Sequence, residues 1–125
     1  MTKIDNSKIF HEGSYADVTL TVPAATTYKA GLVLGRNADG DLTAFDSTVT
    51  GSTPLYILAQ TVVNEGDAAD EFPLVRAFEE GVVDAAKLIF KNESDATSEE
   101  VLDALKTNGY KLRNVGDLVS DSSLA

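Results

Sequence analysis

The stretch from Tyr28 to Val63, YKAGLVLGRNADGDLTAFDSTVTGSTPLYILAQTVV, constrains the fold more than any other part of the chain. It holds three β-rich runs separated by polar turns. Tyr28–Gly35 is followed by Asn37-Ala38-Asp39-Gly40-Asp41, which places Gly and Asp where a tight reversal needs them. Leu42–Phe45 alternates apolar and polar residues, and Ser47–Thr53 is a Gly/Ser/Thr connector. Leu55–Val63 then returns as the most apolar segment of the chain. A meander of this kind builds a sheet or a small barrel, and it carries no catalytic group of its own.

Ahead of it, Asp17–Val22 alternates cleanly. Val18, Leu20 and Val22 fall on one side and Asp17, Thr19 and Thr21 on the other, the signature of a half-buried strand. Pro23 ends the run because it cannot donate to a ladder. Residues 1–13 mix charges with Ile4, Ile9 and Phe10 and show no sustained period. Two readings stand side by side: a flexible terminus, or an arm that orders on a partner, since Ile9-Phe10 is an odd pair to leave in water.

Beyond Val63, residues 64–71 form an acidic loop. Phe72–Phe78 reads as a strand with Pro73 near its start, Glu79-Glu80-Gly81 as a turn, and Val82-Val83 and Leu88-Ile89-Phe90 as short extended pieces. Thr97–Lys106 reads as a helix. Thr97 with Glu100 makes a capping box, acidic residues fill the first turn, and Lys106 sits in the last. Val101, Leu102 and Leu105 form its apolar stripe, and Asn108-Gly109 its stop. Tyr110–Val115 is a closing strand and residues 116–125 a frayed tail. The expectation is a single mainly β domain with one short helix (α+β), a small meander or barrel-like body over 14–115 with an extended N-terminal arm.

Composition narrows the function. A chain of 125 residues supports one core. Ten basic against twenty acidic residues, a formal charge of -10, argue against binding nucleic-acid phosphates or anionic lipid. The absence of cysteine removes disulfides, thiolate metal sites and thiol nucleophiles. The first six residues lack the apolar core of a secretory signal, and no apolar run is long enough to span a bilayer, so folding in a cytoplasm is expected.

Reactive constellations are hard to assemble. The single histidine, His11, lies in the candidate arm, where nothing would hold a catalytic base rigidly. Gly31, Gly35 and Gly40 resemble a phosphate loop only superficially, because Asp41-Leu42 stand where Lys and Ser/Thr are required. Residues 37–41 resemble a calcium loop but lack the later bidentate acid, with Ala44-Phe45 in that region. The acidic loop at Glu65–Glu71 has the charge for a cation, but a solvated loop is the better reading of it. No cofactor is expected.

Two stretches together carry a resemblance. Tyr28–Arg36, Asp41-Leu42 and Leu55–Gln60 form one half; Ala86–Phe90, Leu102–Lys106 and Gly109-Tyr110-Lys111-Leu112 form the other. In that order they resemble the lambda-type family of bacteriophage head decoration proteins, over residues 14–115. The resemblance implies a non-enzymatic capsid cement protein: a homotrimer at three-fold positions on the outside of an expanded capsid, clamping the major capsid protein against internal DNA pressure. It implies a virion component that passes through the host cytoplasm during assembly. It also implies that residues 1–13 dock on the shell, with Ile4, Lys8, Ile9 and Phe10 as the candidate contacts. The alternative from composition and pattern is a small soluble ligand- or carbohydrate-binding β-barrel, with Tyr15, Tyr28, Tyr56 and Tyr110 as its available platforms. A hydrolase built on acidic pairs is a third.

Overall fold

The computed structural model describes residues 10–49 and 52–113. Eight strands and one helix follow in order: β1 (Phe10–Val22), β2 (Thr26–Tyr28), β3 (Val33–Arg36), β4 (Leu42–Ala44), β5 (Tyr56–Leu58), β6 (Val62–Asn64), β7 (Asp70–Asp84), α1 (Glu99–Thr107) and β8 (Tyr110–Arg113). The main sheet runs β1-β7-β5-β3-β4, with β8 added to β7 in parallel, while β2 and β6 pair as a separate ribbon. The fold is mainly β with one short helix, as expected. The sheets stay open, so the barrel-like part of the expectation does not hold.

The frame of the domain is the antiparallel ribbon of β1 and β7, registered from Phe10↔Val83 to Val22↔Asp70. Three irregularities bend it, between Phe10/Glu12, Ser14/Tyr15 and Val18/Leu20, as bulges do wherever one strand carries an extra residue. The far edge of β7 is shared: β5 takes Ala77–Phe78 and β8 takes Gly81–Asp84.

Alternation across the sheet feeds two cores. Val33, Ile57 and Phe78 point into one cluster, which Val101 and Leu105 of α1 and Tyr110 of β8 close from above. Leu32, Leu34, Leu58 and Ala77 point into the other, completed by Leu20 and Val22 of β1 and by Val62 of the small ribbon. The central strands are thus covered on both faces, which explains why Leu55–Ala59 is so apolar. Gly35 packs where a Cβ would come within 3.0 Å of Phe45 Cδ1 and 3.1 Å of the Ser52 carbonyl.

Several boundaries differ from the sequence reading. Tyr28–Gly35 is not one strand: the chain turns at Gly31 (φ 101) and passes from the small ribbon into the main sheet. Leu55–Val63 likewise splits into β5 and β6, in different sheets, with Ala59 donating to the Arg76 carbonyl at 3.0 Å between them. Glu79-Glu80-Gly81 is not a turn but the middle of β7. Glu80 pairs with Ser14 of β1, and Gly81 (φ 141) pairs with Gly13 of β1 on one edge and Tyr110 of β8 on the other, supplying the unusual backbone. The strand read as Asp17–Val22 begins at Phe10.

The helix starts at Glu99, two residues later than expected, and the cap is Ser98, whose Oγ accepts from the Val101 N–H at 3.4 Å. Thr97 instead closes a short 3-10 turn and donates to the Ser94 carbonyl. The buried stripe Val101, Leu102 and Leu105 and the stop at Gly109 (φ 99) are as read. The closing strand spans Tyr110–Arg113; the expectation for residues 114–115, and for the tail beyond, lies outside the described residues.

Candidate functional site

Of the four candidate docking residues, three precede β1 in the sequence. Ile4, Lys8 and Ile9 lie outside the described residues, whereas Phe10 opens β1 opposite Val83, so the chain passes from residue 9 straight into the sheet. Residues 10–13, read as the end of the arm, are paired backbone. His11 also falls within β1. At the edge of the main sheet, β1 is bound to β7 on one side, and among the described residues no strand pairs with its other side. Backbone left unpaired on one side of a strand is a template for pairing, although here β4 comes near β1 without pairing and Asn64 Nδ2 occupies the Val22 carbonyl.

The ribbon also presents a face. Val18, Leu20, Val75 and Ala77 turn inward, which leaves Tyr15, Asp17 and Thr19 of β1 and Leu74 and Arg76 of β7 exposed. Tyr15 stacks on Phe78 with ring centroids 4.6 Å apart, and the Arg76 guanidinium lies 5.3 Å from the centre of the Tyr15 ring. Arg76 Nε also stands 4.0 Å from Asp17 Oδ1. Both ends of that pair are half exposed, so it positions side chains more than it stabilises the fold. Leu74 stands out further. It is 77% exposed and sits at φ +58 in the bulge opposite Val18/Leu20, a conformation that disfavours any residue with a Cβ.

At the Asp70 end of the ribbon, buried Asn64 organises the acidic loop. Its Nδ2 donates to the carbonyls of Val22, Pro23 and Ala68 at 3.0–3.1 Å, and its Oδ1 accepts from Gly66 N–H at 2.9 Å. With the backbone arranged this way, Glu65, Asp67, Asp70 and Glu71 are all exposed. Among the described residues no group of three His, Cys, Asp or Glu side chains is placed to hold a metal ion.

Two other polar clusters are structural in character. Asp46 accepts from the Thr48 hydroxyl at 2.7 Å, the Thr48 N–H at 3.0 Å and Asn92 Nδ2 at 3.0 Å, with Lys91 Nζ at 3.5 Å. These partners, the Thr48 hydroxyl foremost, pull its carboxyl down to about 2. Beside it, buried Asp95 accepts from Ser47 Oγ at 2.6 Å, while its second oxygen has no hydrogen-bond partner among the described residues. Tyr110 donates to the Phe78 carbonyl at 2.7 Å and also lies 3.2 Å from the Leu55 carbonyl. Burial, reinforced by Tyr56, Glu79 and Glu80, pushes its phenol far up, so it stays neutral.

These contacts tie segments together; none pairs a nucleophile with a base. A shallow groove of about 450 Å³ at the Gly13–Gly81 crossing, between Ser14, Glu80 and Lys111, is equally plain, with Ser14 Oγ 3.3 Å from Glu80 Oε1. What the described residues offer is surface: a strand edge without a paired neighbour, and an exposed Tyr/Arg/Leu face beside it.

Comparison with known families decides what kind of surface this is. Residues 3–109 match the family model of the bacteriophage lambda head decoration protein D. The chain belongs to that family. The match spans the β1–β7 ribbon, both cores, the small ribbon and α1, and it ends just before β8. Decoration proteins are structural components of the phage head, so the chain is a capsid protein of the virion. No curated protein matches the sequence.

Of the Tyr15–Arg76–Leu74 face, the sequence singled out only Tyr15, as one of four tyrosine platforms. The face's only sequence signals are the exposed half of the Tyr15-x-Asp17-x-Thr19 alternation and the Pro73-Leu74 pair, neither of which shows that β1 and β7 lie side by side.

Proposed function

We propose that this decoration protein binds the outside of an expanded phage capsid as a homotrimer and stabilises it against the pressure of packaged DNA, without catalysis. The observation that carries this reading is that β1 begins at Phe10 and, among the described residues, pairs with a strand on one side only, in a chain that belongs to the lambda decoration family. The arm, with Ile4, Lys8, Ile9 and Phe10, docks on the major capsid protein. The subunit assembles through the host cytoplasm onto the shell.

Physical magnitudes favour a trimer. Each arm residue ordered on the shell costs about 1–2 kcal/mol of backbone entropy. Burying Ile4, Ile9 and Phe10 returns roughly 1.5–3 kcal/mol each. One arm therefore holds weakly, and three arms on one body raise the effective concentration of each. The ligand-binding barrel draws no support from the fold: the sheets are open, and of the four tyrosines only Tyr15 is exposed.

The test is deletion of residues 2–9, which spares β1. Light scattering is expected to give a mass near three times 13.2 kDa for both the intact and the shortened chain. Only the intact chain is expected to co-sediment with expanded heads. Undiminished binding by the shortened chain refutes the arm, and a monomer that stays monomeric on the shell refutes the trimer.

A further inference from the structure

The exposed face of the β1–β7 ribbon is left over once the arm has been given its role. Leu74 is the anomaly in it. An aliphatic side chain 77% in water gains nothing from burial, and a left-handed backbone at φ +58 penalises its Cβ. Glycine or asparagine would serve the bulge better. Strain at an exposed apolar residue points to a contact made outside the free chain.

Its surroundings resemble the centre of an interface. Tyr15 is already ordered between Phe78 at 4.6 Å and Arg76 at 5.3 Å, so little freedom remains for it to lose on binding. Tyrosine and arginine are the side chains on which interfaces most often concentrate their energy. On the face itself Arg76 stands beside Asp17, and further along the ribbon, opposite Thr21 and Val22, Glu71 and Asp70 are exposed with no basic residue paired to them in the register. A second copy of this chain, with a net charge of -10, would bring more acid to the same place.

Resting on the decoration reading above, we propose that Tyr15, Asp17, Leu74 and Arg76 form a second shell contact, separate from the arm, which seats Leu74 in an apolar pocket of the capsid protein rimmed by lysine or arginine. Tyr15 lies on the same strand as Phe10, roughly 16 Å away at about 3.3 Å per residue. Arm and face can therefore grip one partner together, and the linkage between them is a rigid strand rather than a flexible tether.

The test uses the full chain and undecorated expanded heads of its own phage. Leu74→Gly removes the side chain and relieves the backbone, so its thermal midpoint is expected to equal or exceed that of the parent chain, with the same molar mass. Its apparent affinity for heads is expected to fall at least tenfold. Asp70→Asn with Glu71→Gln is expected to flatten the salt dependence of binding while leaving the fold unchanged. If the parent chain itself does not bind heads, the decoration reading fails and this contact with it. If the parent binds and Leu74→Gly binds equally well, only the second contact is refuted. If Leu74→Gly loses molar mass, Leu74 belongs between copies of this chain and the proposal is overturned.

Discussion

Tyr110→Phe isolates one hydrogen-bonded junction on which the C-terminal third of the domain depends. Tyr110 opens β8, is 2% exposed, and directs its hydroxyl at the Phe78 and Leu55 carbonyls at 2.7 and 3.2 Å. Leu55 is held from its other side as well, because its N–H donates to Asn108 Oδ1 at 3.0 Å. The residues at the end of α1 and the start of β8 thus grip one residue next to β5, Leu55, by both its backbone donor and its backbone acceptor. Phenylalanine keeps the ring in its core cluster and removes only the hydroxyl. Losing a buried hydrogen bond and leaving its acceptors short costs about 1–2 kcal/mol. For a domain of this size each kcal/mol moves the midpoint by roughly 4 °C, so a drop of about 4–8 °C is expected.

The pH dependence provides a second arm to that experiment. Burial raises the phenol above its ordinary 10.0 in the folded chain. A raised folded value means that the neutral form is favoured by folding, so its contribution is complete below pH 10 and is lost as the pH climbs beyond that. Thermal melts followed by circular dichroism from pH 7 to pH 11 are expected to show the parent and Tyr110→Phe converging above pH 10. Equal midpoints at pH 7, or a gap that persists unchanged at pH 11, refute the reasoning.

Two further outcomes follow from the polar clusters. Asn64→Ala leaves the carbonyls of Val22, Pro23 and Ala68 without the donor that gathers them, and is expected to destabilise by about 1–3 kcal/mol in urea titration, with faster amide exchange across residues 65–69. Asp46, drawn down from 3.8 to about 2 by Thr48, Asn92 and Lys91, favours the folded state above pH 4, and that contribution disappears as the pH falls through about 2. Asp46→Asn is therefore expected to lose less stability than the parent between pH 5 and pH 2.5, and an identical acid loss in both chains counts against the assignment.

The parts legible in the sequence are those whose determinants are local. The apolar stripe Val101, Leu102 and Leu105 is a spacing of one helix, and the Asn37–Asp41 reversal is built by Asn37 Oδ1 accepting from the N–H groups of Asp39 and Asp41. The alternation of Asp17–Val22 also survives intact, because Leu20 and Val22 fall in a core whichever strand lies beside them. Choosing between Ser98 and Thr97 as the cap was beyond local reasoning: both carry a hydroxyl, and the 3-10 turn at Glu93–Thr97 claims Thr97.

Tertiary structure decided the rest. An apolar run such as Leu55–Val63 reads the same whether it stays in one sheet or crosses between two, and only its neighbours separate β5 from β6. Glu79-Glu80-Gly81 has the composition of a turn, yet the pairing of Glu80 with β1 and of Gly81 with both β1 and β8 keeps it extended against that local preference. The same holds for the candidate site. The sequence by itself specified a mainly β domain with the character of a decoration protein. That β1 stands at the edge of the sheet, and that Tyr15, Asp17, Leu74 and Arg76 share one face, depends on a register linking residues more than fifty positions apart. Long-range pairing of this kind is set by how the whole core packs, and no window of the sequence contains it.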